Sequence, residues 1–235
     1  MLQDEISGIR NGTRNRAWLE EVRRKFPNSQ PSLGSLRQER VLKNNQSTYV
    51  FDFKTPDPTG HSTTEMLLAV TDSFGANTLM LGLVVRNKNK PSANVLLSYP
   101  NLEVIASAFN NSTADTPSAA AKVAGSDIET LYNGSLILQI GPGTIFDGLD
   151  TRRFRHVPIT QQGVFASKAA SDYLDGAVAI EPQIFLVGTE ANKLTVTIPT
   201  FNSMSIEPDN TDYELVLCVV ASGFRVQGGS DLARR

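Results

Sequence analysis

Runs of β-forming residues recur from Tyr49 to Val226, and they constrain the fold more than any other feature of the chain. Tyr49, Phe51 and Phe53 alternate with Val50 and Asp52. This is the period-two pattern of a strand with one buried face. Residues 64–70, 78–86, 94–99, 103–106, 135–140, 144–146, 177–187, 193–199 and 213–226 continue the series. Residues 78–86 are almost continuously apolar, as in a strand covered on both faces. Breakers separate the runs: Thr55-Pro56-Asp57-Pro58-Thr59-Gly60, then Pro100-Asn101, then Gly141-Pro142-Gly143. About ten or eleven strands with no β–α alternation predict an all-β sandwich or jelly roll. No internal repeat is visible, which argues against a propeller or solenoid.

The first part of the chain reads differently. Residues 4–26 predict an amphipathic helix, with Ile6, Ile9, Trp18, Leu19, Val22 and Phe26 along one side. Arg10, Arg14, Arg16, Arg23, Arg24 and Lys25 lie on the others. Gly8 and Gly12 weaken its first half, so the firm part spans 15–25, with Asn15 as N-cap and Pro27 as the stop. Residues 27–47, rich in Ser, Pro, Asn and Gln, read as an extended arm. A short internal helix is expected over 119–132, ended by Asn133-Gly134. The domain organisation that follows is a basic helix and arm over 1–46 and a β body over 47–235. If the body holds two β-units, they divide near 107–126. The connection from Asp147 to about Asp175 is too long for an idle loop and carries Arg152, Arg153, Arg155 and His156.

Charge is split along the chain. The net charge is −2, yet residues 1–45 hold nine Lys/Arg against five Asp/Glu. A basic lead on an acidic body suggests two environments. The near-neutral whole gives no global drive toward nucleic acid or anionic lipid. The single cysteine, Cys218, sits in an apolar run and forms no internal disulfide. The N-terminal residues lack the pattern of a signal peptide, and no apolar run reaches the roughly 18 residues of a membrane span. Synthesis in a cytosol is the expectation.

Chemistry is sparse. His61 and His156 have no partners at ligand spacing and read as structural or solvated. The pairs Asp52 and Asp57, and Asp209 and Asp212, lack the alternating ligands of a calcium loop and read as solvated turns. Asp147, Asp150, Asp172, Asp175 and Glu181 could supply a carboxylate pair for glycoside hydrolysis. Tyr99, Tyr132, Phe154 and Tyr173 could form an aromatic platform. No cofactor, metal or small-molecule substrate is expected, and the chain reads as no enzyme.

Several strings carry a resemblance. Thr64-Glu65-Met66-Leu67-Leu68, Asp72-Ser73-Phe74 and Leu96-Leu97-Ser98-Tyr99-Pro100-Asn101 resemble segments of virion proteins of tailless icosahedral bacteriophages. So do Leu131-Tyr132-Asn133-Gly134-Ser135-Leu136 and Leu149-Asp150-Thr151-Arg152-Arg153-Phe154-Arg155. The resemblance covers residues 47–226 and implies a capsid protein with jelly-roll barrels. Major capsid proteins of this kind have two barrels and assemble as trimers around an internal membrane. Two barrels would need about sixteen strands, more than the sequence displays.

The functional expectation is therefore a phage structural protein, the major capsid protein first among them, made in the host cytoplasm and resident in the virion. Its partners would be itself, as a trimer within a shell, other virion proteins, and the internal membrane or genome through its basic lead. The candidate contact residues are Arg14, Arg16, Trp18, Arg23, Arg24, Lys25, Arg152, Arg153 and Arg155. The alternative is a β-sandwich binding module that recognises carbohydrate or a host receptor.

Overall fold

The computed structural model describes residues 15–89, 95–97, 132–154, 177–199 and 212–229. A helix, α1, covers 15–25 of these. The strands are β1 (Ser32–Val41), β2 (Thr48–Asp52), β3 (Ser73–Asn87), β4 (Val95–Leu97), β5 (Ser135–Ile140), β6 (Gly143–Asp150), β7 (Ala177–Val187), β8 (Asn192–Thr197) and β9 (Tyr213–Val226). A 3₁₀ turn, Thr151–Phe154, follows β6.

The strands form two antiparallel sheets. The first runs β1-β9-β3-β4, with β7 also paired to β3, and the second runs β2-β8-β5-β6. Along one edge of β3, β7 takes Ser73 to Met80 and β4 takes Leu83 to Val85, while β9 holds the other edge. Pairing is nested from the chain's ends inward: β1 with β9, β2 with β8, β3 with β7, β5 with β6. The described strands before and after residues 107–126 thus interleave in both sheets and make one sandwich.

Alternation fills the space between the sheets. Leu215, Leu217, Val219 and Ala221 of β9 face inward, onto Tyr49 and Phe51 of β2, Leu136 and Leu138 of β5, and Leu194 and Val196 of β8. Their neighbours Val216 and Cys218 lie on the outer face with Val84. On β3 the inward phase is Phe74 and Ala76, then Leu79, Leu81 and Leu83. The slip falls at Asn77, an extra residue between Ala76 and Thr78 opposite Gly223 and Ser222. Such a bulge moves every later side chain to the other face. Gly223 allows the close approach there, since a Cβ would collide with the Gly75 carbonyl oxygen.

Three sequence expectations are corrected. Residues 32–41, read as part of an arm, are β1, so the β body begins there and not at residue 47. The strand was hidden because its side chains are polar. Arg37 and Glu39 point outward into an ion-pair cluster, and inward Gln38 donates to the carbonyls of Asp52 and Thr55. Residues 64–70 are not a strand but a passing segment with one bridge, Arg37↔Met66. Their polar groups turn to Glu39 instead of forming a ladder. The first residues of the 147–175 loop complete β6 and the 3₁₀ turn. The expected strand at 103–106 and all of the expected helix over 119–132 except Tyr132, which is in a turn, lie outside the described residues.

Candidate functional site

Helix α1 brings the basic residues together by burying its other side. Trp18, Val22 and Phe26 recur every four residues and so line one face of the helix. All three are at most 1% exposed, packed on Phe224 and Val226 of β9 with Phe185 of β7 beside them. Each such side chain contributes about 1.5–3 kcal/mol on burial. The Trp18 indole N–H donates to the Gly75 carbonyl at 3.1 Å, and Asn77 donates to the Asn15 side-chain oxygen at 2.6 Å. The bulge therefore hands a polar side chain to the start of the described helix.

With that face committed, Arg16, Arg23 and Arg24 are left exposed away from it, and Lys25, also exposed, stands at its border. Glu20 and Glu21 stand among them. The Arg24–Glu21 pair, at 3.8 Å with Arg24 82% exposed, is too open to neutralise much. Lys25 holds its ammonium 3.9 Å over the Phe185 ring. Burial lowers its pKa, against an upward pull from Glu21. Trp18, expected among the contact residues, anchors the helix from beneath instead.

The second basic group sits elsewhere. Arg152 and Arg153 are exposed on the 3₁₀ turn, whose Thr151 and Phe154 are buried. Arg152 donates to the Asn133 side chain at 2.8 Å. Arg153 borders a pocket of about 370 Å³ shared with Phe146, Leu149, Val178 and Glu181. That pocket lies by the first residues of β7, whereas Phe185, near its other end, carries α1. The two groups are not one patch. Arg14 and Arg155 lie outside the described residues.

The rival chemistries find less support. Tyr132 and Phe154 are 2% and 1% exposed and present no platform, and Tyr99 and Tyr173 lie outside the described residues. Among the described residues Glu181 is the one carboxylate lining the pocket; Asp172 and Asp175 lie outside them. Among the described residues no cluster of His, Cys, Asp and Glu is arranged for a metal ion. No helix among them is long and apolar enough to cross a membrane.

A charged cluster on the outer face of the first sheet escaped the sequence reading. Arg86 of β3, fully buried, meets three carboxylates: Glu214 of β9 at 2.5 Å, Asp57 at 2.9 Å and Glu39 of β1 at 3.1 Å. Asp57, expected in a solvated turn, is 5% exposed. Arg37, Thr64 and Ser62 also donate to Glu39. Burial pushes Glu39's pKa up, but these hydrogen bonds together hold it below the ordinary value. Asp57 follows the same pattern, with burial outweighed by Thr59 and Arg86. Glu65 goes the other way: burial raises it, despite the Asp57 and Glu39 amides it accepts and nearby Arg40. His61, half exposed, reaches Glu214 at 3.2 Å. The available signal was Arg86 and Glu214 closing two apolar runs that pair in register.

The chain matches no family model, no curated protein and no solved structure.

Proposed function

We propose that this chain is a self-associating structural subunit of a tailless bacteriophage virion, built as a single jelly roll. The observation that carries the reading is the nested pairing β1–β9, β2–β8, β3–β7 and β5–β6. A jelly roll is a long antiparallel hairpin wrapped into two sheets, which generates this pairing and these strand orders. A single roll also suits a strand series too short for two. Jelly rolls serve both shells and lectins, so the fold alone does not choose between them. The shell reading adds the likeness of the quoted strings to phage virion proteins and a sandwich without an assembled catalytic group among its described residues.

In this reading α1 is the inward element. Its apolar face is used within the subunit, and its exposed cations, Arg16 and Arg23 above all, meet an interior polyanion, either genome phosphates or lipid headgroups. Trimers, the arrangement the resemblance implies, are the assembly unit proposed. Light scattering behind a sizing column, followed by electron microscopy of the largest species, tests the proposal. Trimers and closed particles support it. A monomer of 25.5 kDa at every concentration and salt contradicts it and moves the assignment to a binding module.

A further inference from the structure

The connection from β2 to β3 passes over the outer face of the first sheet and along the edge of β1. Its residues 57–66 contribute no side chain to the hydrophobic core. What holds them is polar throughout. Asp57 accepts from Arg86, and His61 meets Glu214. Ser62 and Thr64 donate to Glu39 at 2.9 and 2.7 Å. Glu65 accepts from the Glu39 amide at 3.0 Å and the Asp57 amide at 2.7 Å. Met66 exchanges both backbone bonds with Arg37, at 2.8 and 2.9 Å.

The contacts to the backbone of Arg37 and Glu39 fall on the side of β1 that faces away from β9, and those to Arg86 and Glu214 lie over the sheet's outer face. The outward amides of Arg37 and Glu39 and the outward carbonyl of Arg37 are all taken by the segment. An edge strand with free amides and carbonyls is a template for another chain. A segment held without apolar burial is also the kind that opens separately from the core.

We propose that residues 57–66 form a strap that opens as a unit, and that its opening bares the edge of β1 to a strand from a second copy of this chain. The strap's opening stands on the geometry alone. The use of the bared edge rests on the self-associating reading above. Arg86 is the fixed end of the latch: it belongs to β3, is fully buried, and binds the strap through Asp57 while gripping Glu39 and Glu214 beneath. The charged groups facing the latch are Arg37, Glu39 and Arg40 from β1 and the strap's own Asp57, His61 and Glu65. Arg86 of β3 and Glu214 of β9 complete it, with the Cys218 thiol alongside.

Cys218 supplies a reporter. It is the only cysteine, is fully buried beside Glu39 in the β1–β9 register, and burial pushes its thiol up to about 12. A buried neutral thiol reacts only when the structure above it opens.

The test compares the full chain with its Ser62→Ala/Thr64→Val variant, which removes two donors from the latch and leaves Arg86 in place. On dilute protein, amide hydrogen exchange is read at Arg37 and Met66, and at Leu81 and Val219 as core references. Cys218 is titrated in parallel with a thiol reagent. The expected result is faster exchange at Arg37 and Met66 than in the core, and a further gain of about tenfold in the variant, with Leu81 and Val219 unchanged. Cys218 reactivity rises with it. Sedimentation then shows the variant associating at lower concentration than the parent. Exchange of all four amides at one common rate in both proteins would overturn the strap. A strap that opens without any gain in association would overturn the role of the β1 edge. A parent that forms no particles while its strap opens counts against the shell reading alone.

Discussion

Trp18 and Gly75 stand 57 residues apart in sequence, yet one indole N–H donates to one glycine carbonyl, and the bond helps fix where the packed helix sits on the sheet. Residue 75 must be small as well as near. A Cβ there would meet Trp18 Cζ2 at 3.0 Å, Val22 Cγ2 at 3.1 Å and a Phe185 ring carbon at 3.3 Å. Packing two sheets needs no such gap; seating a tryptophan on the outer face does.

Gly75→Ala is therefore expected to lift α1 while leaving the sandwich folded. Overpacking of this kind costs about 1–3 kcal/mol. Trp18 is the chain's only tryptophan, so its fluorescence reports the helix alone. A red-shifted emission with unchanged far-ultraviolet sheet signal is the outcome foreseen. An unshifted emission would mean that the helix adapts in place.

Arg86→Met should be far more damaging than its size suggests. It leaves Glu39, Asp57 and Glu214 close together without the cation that binds all three. Breaking a buried ion cluster from one side costs about 3–5 kcal/mol. Urea denaturation measures it, and a loss under about 1 kcal/mol would show that the carboxylates find other partners.

Stability should pass through a maximum in mild acid. Glu39 and Asp57 have lowered pKa values in the fold, so their contribution is complete above the ordinary carboxylate pKa. It is lost as pH falls through the folded values. Glu65 is raised, so its contribution is complete below the ordinary value and fades as pH rises through the folded one. Melting temperatures from pH 2 to 8 test this. Asp57→Asn should flatten the acid limb, and an unchanged limb would remove Asp57 from the explanation.

Charge reversal on the exposed side of α1 should separate function from folding. Glu in place of Arg16, Arg23 and Arg24 leaves the packed face of Trp18, Val22 and Phe26 untouched. Stability is expected to stay within about 1.5 kcal/mol of the parent, about 0.5 kcal/mol for each surface substitution. Binding to a single-stranded polyanion should weaken, and its salt dependence should drop by about 0.7 in log–log slope for each phosphate that is no longer neutralised. Equal binding before and after would leave the helix without this role.

The period-two runs made the strands of the second half of the chain legible. Residues 135–140, 177–187 and 213–226 are found as strands over those spans because each alternates or buries both faces. The helix over 15–25 was equally plain, since Trp18, Val22 and Phe26 keep helical spacing. β1 was not legible: its Arg37, Gln38 and Glu39 look like surface until their partners, more than ten residues distant, are in place. The Arg86 cluster was invisible for the same reason. Its members come from four separate segments, and only the register that sets Arg86 against Glu214 unites them. The apolar face of the helix was legible but what it packs against was not, since Phe185, Phe224 and Val226 are far off in sequence, so Trp18 stood among the contact residues.

The role proposed for this chain turns on self-association of a jelly-roll subunit. Light scattering on the purified full chain, across protein concentration and salt, gives the mass that decides it. Trimers that grow into closed particles visible by electron microscopy are the expected result. A single 25.5 kDa species under every condition would contradict it.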